Sequence, residues 1–395
     1  MAKLPFWFLC FFVFSLPWQG FIVIPGLGTV SRLLGFLLVG VGGLYILLKK
    51  NLKELPLLLI ICIVFVLWGL FSYIWSIHPV ATLSRFFQNI QFIAMMWLIW
   101  ELCNSRKDYI LLMQLFVLGL FIPIFDMLSM YISQTYGYYR ISAGGFGANR
   151  MALYLAIGMP IAWYLYLSER MNMFTWFNLS YIPLAMFSIL LTGSRTGLII
   201  GAIGLIIVPL TFINLRNNSK IVVLTVSTIC VVFSLIYFSQ ETERLERNIE
   251  RFVETPEMVQ EGRFTGREII WAKGIQRIAD KPIHGYGSNT SRFILGEALH
   301  RDARAAHNTY IALLLDGGII SIIILIAVIL LATIPTHTIN YNVKVFGFIT
   351  VLILLTAMIV NNIETEKIFW FVLSIFMGFA FFIIKDGRIY IVERK

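Results

Sequence analysis

The sequence predicts an all-α polytopic membrane protein: about twelve transmembrane helices, with one large helical loop between spans nine and ten. Three observations predict it. Of the 395 residues, 59% are hydrophobic and 13% charged, whereas a soluble protein is about 45–50% apolar and about 25% charged. Mean hydropathy is +0.83. The apolar residues fall in runs of about 20, the helix length that crosses a hydrocarbon core of about 30 Å. Strands of a transmembrane barrel would instead alternate apolar and polar residues. Soluble-enzyme, disordered and disulfide-scaffold readings are thereby excluded. Cys10, Cys62, Cys103 and Cys230 each lie in or at the end of an apolar run, without metal-ligand spacing, and read as small buried hydrophobes.

In chain order the expected spans are 5–25, 29–48, 56–76, 82–102, 108–131, 149–167, 173–193, 195–213, 220–238, 308–333, 343–363 and 368–385. The first run follows Lys3 as a signal peptide's would. It continues past Pro17 and Trp18 with no small-x-small cleavage site, so an uncleaved first span is expected. The chain divides into spans one to nine (1–238), a polar loop (239–307), and spans ten to twelve with a tail (308–395).

Charge sets the orientation, because positive residues stay on the cytoplasmic side. With the N-terminus inside, the inner segments hold Lys3, Lys49, Lys50, Lys53, Arg106, Lys107, Arg170, Arg216, Lys220, Lys344, Lys385, Arg388, Arg394 and Lys395. The short outer loops and span ends hold only Arg32, Arg85, Arg140, Arg150, Arg195 and Lys367. Both termini are therefore expected in the cytoplasm and the long loop outside. That loop carries eleven basic and eleven acidic residues, so the net charge of +10 belongs mostly to the inner set. It serves topology and contact with anionic lipid, and nucleic acid is not an expected partner. The outer cations are mostly Arg, the better fork for phosphate; Arg32 and Arg85 read equally well as side chains snorkelling to the interface.

Within the loop, Glu241 to Glu254 alternate charge at helical spacing and read as a solvated helix. Thr265 and Glu268 match a capping box, so a second helix should run from Thr265 to about Asp280, before Pro282. Arg267 stands in its first turn, where free backbone N–H groups also favour an anion, and Trp271 follows on the same face. Gly285 to Ser288 form a turn. There is no P-loop, no GxGxxG and no D-x-D pair, so neither nucleotide hydrolysis nor a metal is indicated. Glu364 and Glu366 read as part of an outer turn. Of five histidines, His78 and His337 read as structural or solvated, and His284 and His300 as neighbours of a site. His307, followed by Asn308, sits where the loop meets span ten, at the water boundary on a rigid helix. Its ordinary pKa of about 6.5 suits a general base. Asp316 lies about 13.5 Å further along that span at a rise of about 1.5 Å per residue, and should have a structural partner on another span.

These residues resemble the O-antigen ligase and polymerase superfamily of bacterial envelope glycosyltransferases. His307-Asn308, nine residues, Gly318 is similar to its H-N-x9-G-x-x-G signature, with Ser321 in place of the last Gly. Gly266-Arg267 to Trp271 is similar to its R-x-x-x-W, and Leu191 to Gly197 to its Ser-Arg turn between spans. The motifs cover about residues 190–325. The resemblance implies a GT-C-type enzyme of the bacterial inner membrane. Such an enzyme takes a glycan from an undecaprenyl-pyrophosphate carrier on the outer face, needing neither metal, cofactor nor nucleotide sugar. On that reading Arg195 and Arg267 hold the pyrophosphate, with Arg140, Arg150 or Arg292 as helpers. Trp271 lines the mouth of a groove for the lipid tail, Asn308 contacts substrate, and His307 takes the proton of an acceptor sugar hydroxyl. The acceptor is either lipid A–core, for a ligase, or a second lipid-linked repeat unit, for a polymerase; the H-N-x9-G pattern leans to the ligase. A protein acceptor is a third reading. A lipid-linked-glycan flippase is the alternative from another class, but no internal repeat of the kind common in transporters is visible.

Overall fold

The computed structural model describes residues 3–26, 28–49, 52–133, 140–168, 173–212, 220, 267–300, 302–337 and 340–386. Among these the chain is helical, as the bilayer requires of a backbone that must satisfy its own hydrogen bonds. The helices of the bundle are α1 (Lys3–Ser15), α2 (Val30–Leu48), α3 (Leu57–Phe71), α4 (Pro79–Leu102), α5 (Arg106–Ile132), α6 (Ala148–Ser168), α7 (Met173–Leu191), and the pair α8 (Arg195–Leu205) and α9 (Ile207–Phe212). Two short helices follow, α10 (Arg267–Ile278) and α11 (Ser291–Ala298). The chain then returns through α12 (Thr309–His337), α13 (Tyr341–Val360) and α14 (Lys367–Asp386). Among the described residues eight helical stretches, the α8–α9 pair counted as one, are long and apolar enough to cross a membrane, and Leu4–Trp18 and Lys367–Phe379 are shorter apolar stretches. The expected span 220–238, the helix 241–254 and the cap at Thr265 fall outside the described residues.

The first span ends earlier than the run 5–25 implies. Pro17 has no N–H to continue the ladder, and the chain passes through a 3-10 turn at Leu16–Trp18. It then forms a small hairpin, Val23–Ile24 paired antiparallel with Gly28–Thr29.

The helix α6 is the centre of the bundle, with every residue from Met151 to Leu167 buried. A helix apolar all round belongs inside. Gly158 makes that packing close, because a Cβ there would collide with the Tyr181 hydroxyl of α7, which donates to the Leu155 carbonyl at 2.9 Å. Gln114 and Asn178 join α5 to α7 by reciprocal amide hydrogen bonds of 3.0 and 2.8 Å, the polar glue of membrane interiors. By contrast α2 has only 22% of its apolar window buried, and Phe36, Leu37, Val39 and Leu44 turn outward, as lipid-facing side chains do.

The helix α12 is broken at Gly318, whose φ of 66° and ψ of −163° are not helical. A Cβ there would collide with the Ile283 carbonyl. The break frees carbonyls, and the 282–287 loop answers them. Tyr286 N–H donates to Leu315 O at 2.8 Å and Gly287 N–H to Asp316 O at 2.9 Å, while Ile319 N–H donates to Pro282 O at 2.9 Å. The Trp68 indole donates to Gly317 O at 3.0 Å. The Gly-Tyr-Gly-Ser turn is thus the strap that holds the broken helix. Together with the 361–366 turn, it gathers the candidate residues at one end of the bundle.

Candidate functional site

His307 adopts φ 49°, a left-handed conformation uncommon for a non-glycine residue and worth explaining. It immediately precedes α12, which Asn308 caps by accepting the Ile311 N–H at 3.1 Å. Side chains from two other elements hold the chain on either side of it. The Trp271 indole of α10 donates to Ala306 O at 3.0 Å, and Asn308 N–H donates to Asn362 Oδ1 at 3.0 Å. One residue on, the Thr309 hydroxyl lies 2.8 Å from both the Asn361 carbonyl and Glu364 Oε2, and accepts the Ile363 N–H at 3.0 Å. Backbone strain at one residue is thus supported by hydrogen bonds on both flanks.

His307 faces a cleft of about 580 Å³ that Arg85, Arg140, Arg150 and Arg292 also line. The carboxylates on its wall are Asp316, Glu364 and Glu366, and the amides include Asn149, Asn289 and Asn362. Most of the polar groups are held. Arg140 donates through Nε to Thr192 O at 3.0 Å and through Nη2 to Asn149 Oδ1 at 2.6 Å. Arg150 pairs with Glu366 at 2.8 Å. Arg85 donates to Gln88 Oε1 at 3.1 Å and Asn289 Oδ1 at 3.0 Å. Arg292 is exposed, its guanidinium 4.6 Å from the Phe293 ring centroid. The Asp316 carboxylate accepts the Ser291 N–H at 2.6 Å. Its hydrogen-bond partner is therefore the N-terminus of α11, a loop helix, rather than a second span.

The protein shifts the titrations here. Crowding by protein atoms, then the charges of Arg267 and Arg304, push the His307 pKa below its ordinary value, because both effects disfavour the imidazolium. The imidazole is consequently neutral, with a lone pair to accept a proton, at neutral pH. Burial pushes Glu364 up to about 7, against the pull of Arg85 and the Thr309 hydrogen bond. Burial also raises Glu366, opposed by Arg150 and Lys367.

Of the residues singled out in the sequence, His307, Arg140, Arg150 and Arg292 come together on one cleft. Arg195 and Arg267 are not among its lining residues. Arg267 opens α10 one turn before Trp271, half-buried, and its charge reaches the imidazole. Arg195 opens α8 next to Ser194, whose hydroxyl donates to Asn149 Oδ1 at 2.8 Å, the atom that also receives Arg140. Both arginines thus stand at the border of the arrangement. Trp271 braces the carbonyl beside His307, and Asn308 is a buried helix cap. His78 stacks against Phe293 with ring centroids 4.0 Å apart, and His284 meets Trp75 edge-on at 5.4 Å; neither lines the cleft. Asn149, Asn289 and Asn362 escaped the sequence reading. Glu364 reads in the sequence as a turn residue, and Arg85 equally well as an interfacial side chain or as one of the outer arginines suited to phosphate.

Residues 179–326 match the family model described as O-Antigen ligase. The matched stretch runs from α7 into α12 and contains Arg195, Arg267, Trp271, His307 and Gly318. No curated protein matches the chain, and no solved structure does.

Proposed function

Within the O-antigen ligase and polymerase superfamily, to which residues 179–326 assign the chain, we propose that it is a glycosyltransferase using a polyprenyl-diphosphate donor, ligase-like in its acceptor. The match over residues 179–326 and the apolar helices support a multi-pass bacterial membrane protein of cell-surface polysaccharide biosynthesis. The observation that carries the finer one is a neutral imidazole on a cleft lined by four arginines. A carbohydrate donor linked through diphosphate brings two negative charges and leaves with more, and fixed cations stabilise such a leaving group.

In this reading the diphosphate lies against Arg140, Arg150 and Arg292, with Arg195 and Arg267 adding charge from the border. His307 removes the proton from an acceptor hydroxyl. The oxygen bonds to the anomeric carbon as that carbon's bond to the diphosphate oxygen breaks. The cleft opens on the outer face of the inner membrane, in keeping with the distribution of Lys and Arg. The undecaprenyl tail lies in the bilayer, and a lipid A–core sugar supplies the hydroxyl. A second lipid-linked repeat unit in its place would make the enzyme a polymerase.

The test is transfer by purified protein in detergent, with no sealed compartment, from a defined lipid-diphosphate glycan to each acceptor supplied separately. His307→Ala should abolish transfer and leave the donor intact. Near-normal turnover by that variant would remove His307 from the base role. Turnover only with lipid-linked repeat units would establish the polymerase.

A further inference from the structure

We propose that the groove between α1, α2 and α4 is a binding site for a membrane lipid with a net anionic phosphate headgroup, separate from the cleft that holds His307. Its volume is about 180 Å³, and Phe12, Phe36, Leu38 and Leu98 form much of its wall. No lining residue is shared with the cleft. Two cations line it, Arg32 in the first turn of α2 and Lys367, the first residue of α14, and none of its lining residues is acidic.

Among the described residues the cations here outnumber the anions beside them. The Lys367 ammonium donates to Gln19 Oε1 at 2.8 Å and Ser31 Oγ at 3.0 Å, both neutral. Glu366 is the one carboxylate among the described residues whose charge reaches it, and Arg150 already pairs with that carboxylate at 2.8 Å. The Arg32 guanidinium lies 5.6 Å from the Phe36 ring centroid and forms no ion pair among the described residues. Two cations at the mouth of an apolar slot in a membrane are costly without a counter-charge. A lipid phosphate supplies that charge, and its hydrocarbon tail fills the slot. A zwitterionic lipid brings the phosphate with its own cation and offsets the cost less. Water-soluble phosphate brings no tail.

The experiment uses full-length protein reconstituted with equal amounts of phosphatidylglycerol and phosphatidylcholine of identical chains. The protein is then extracted in mild detergent, and retained lipid is counted by native mass spectrometry. Wild type should keep phosphatidylglycerol about tenfold over phosphatidylcholine, and excess glycerol phosphate should not displace it. Arg32→Gln with Lys367→Gln should abolish the preference. Ala94→Phe, which narrows the slot without touching charge, should lower retention of both lipids, and it serves alone if the charge variant does not elute as a folded monodisperse species. Equal retention of the two lipids by wild type would overturn the site. So would displacement by glycerol phosphate, an unchanged preference in the charge variant, or unchanged retention in Ala94→Phe.

Discussion

The Trp271 indole N–H donates to the carbonyl of Ala306 at 3.0 Å, one residue before His307. That bond ties α10 to the imidazole and accounts for a tryptophan four residues after Arg267. The arginine acts on the same ring through its charge, and the tryptophan fixes where the ring is.

Trp271→Phe keeps the packing and loses the donor. A neutral hydrogen bond is worth about 0.5–1.5 kcal/mol, so kcat for glycosyl transfer should fall up to about tenfold while the donor KM holds. An unaltered kcat would show that His307 is positioned without this brace.

Asn149 Oδ1 receives both Arg140 and the Ser194 hydroxyl. Asn149→Ala should therefore raise the KM for a lipid-diphosphate donor by about fivefold to tenfold, with a smaller effect on kcat. Asn149→Asp, which can accept both bonds, should restore most of the loss. Equal damage from the two substitutions would argue against an arginine-holding role.

The pH profile should carry the mark of His307. The neutral imidazole is the working form, so activity is lost as pH falls through its pKa. Crowding, Arg267 and Arg304 place that limb below the ordinary 6.5. Arg304→Gln removes a nearby positive charge, raises the pKa and should move the acid limb to higher pH. A limb that stays put, or moves down, would mean that another group titrates.

Glu364 should appear in stability instead. Its folded pKa of about 7 lies above the ordinary 4.5, so the folded chain binds the proton more tightly than the unfolded one. The stabilisation is complete below 4.5 and is lost as pH rises through about 7. The melting temperature in detergent should fall over that window, and Glu364→Gln should remove that part of the slope. Identical slopes would place the carboxyl elsewhere on the pH scale.

Gly318→Ala places a Cβ at positive φ and against the Ile283 carbonyl. A cost of about 3 kcal/mol or more is expected for such a change, visible as a lower melting temperature together with lost transfer. A variant that melts like wild type would show that the strap can yield.

The all-α membrane character was legible because a bilayer leaves the backbone little choice, and long apolar runs are hard to mistake. The early end of the first span was not, since it turns on Pro17 within an otherwise continuous run. His307, Arg150 and Arg292 were legible by position at helix ends, and Arg140 by its place in a short outer loop. Arg195 and Arg267 were legible by motif, yet motif spacing does not say which side chains share a wall. Asn289 and Asn362 lie in short polar loops without periodicity and act through partners far along the chain, and Asn149, in the first turn of α6, meets Ser194, 45 residues on. The break at Gly318 depends on the Ile283 backbone crossing above it, a contact that no local pattern encodes.

The break has a mechanical consequence. Thr309 to Gly317 are bonded to the strap and to the 361–366 turn, and Ile319, just past the break, is bonded to Pro282 of the same strap. A thicker or thinner membrane changes the tilt of a spanning helix. Here the strap grips both sides of the glycine, so a change of tilt should be taken up further along α12 and not beside the imidazole.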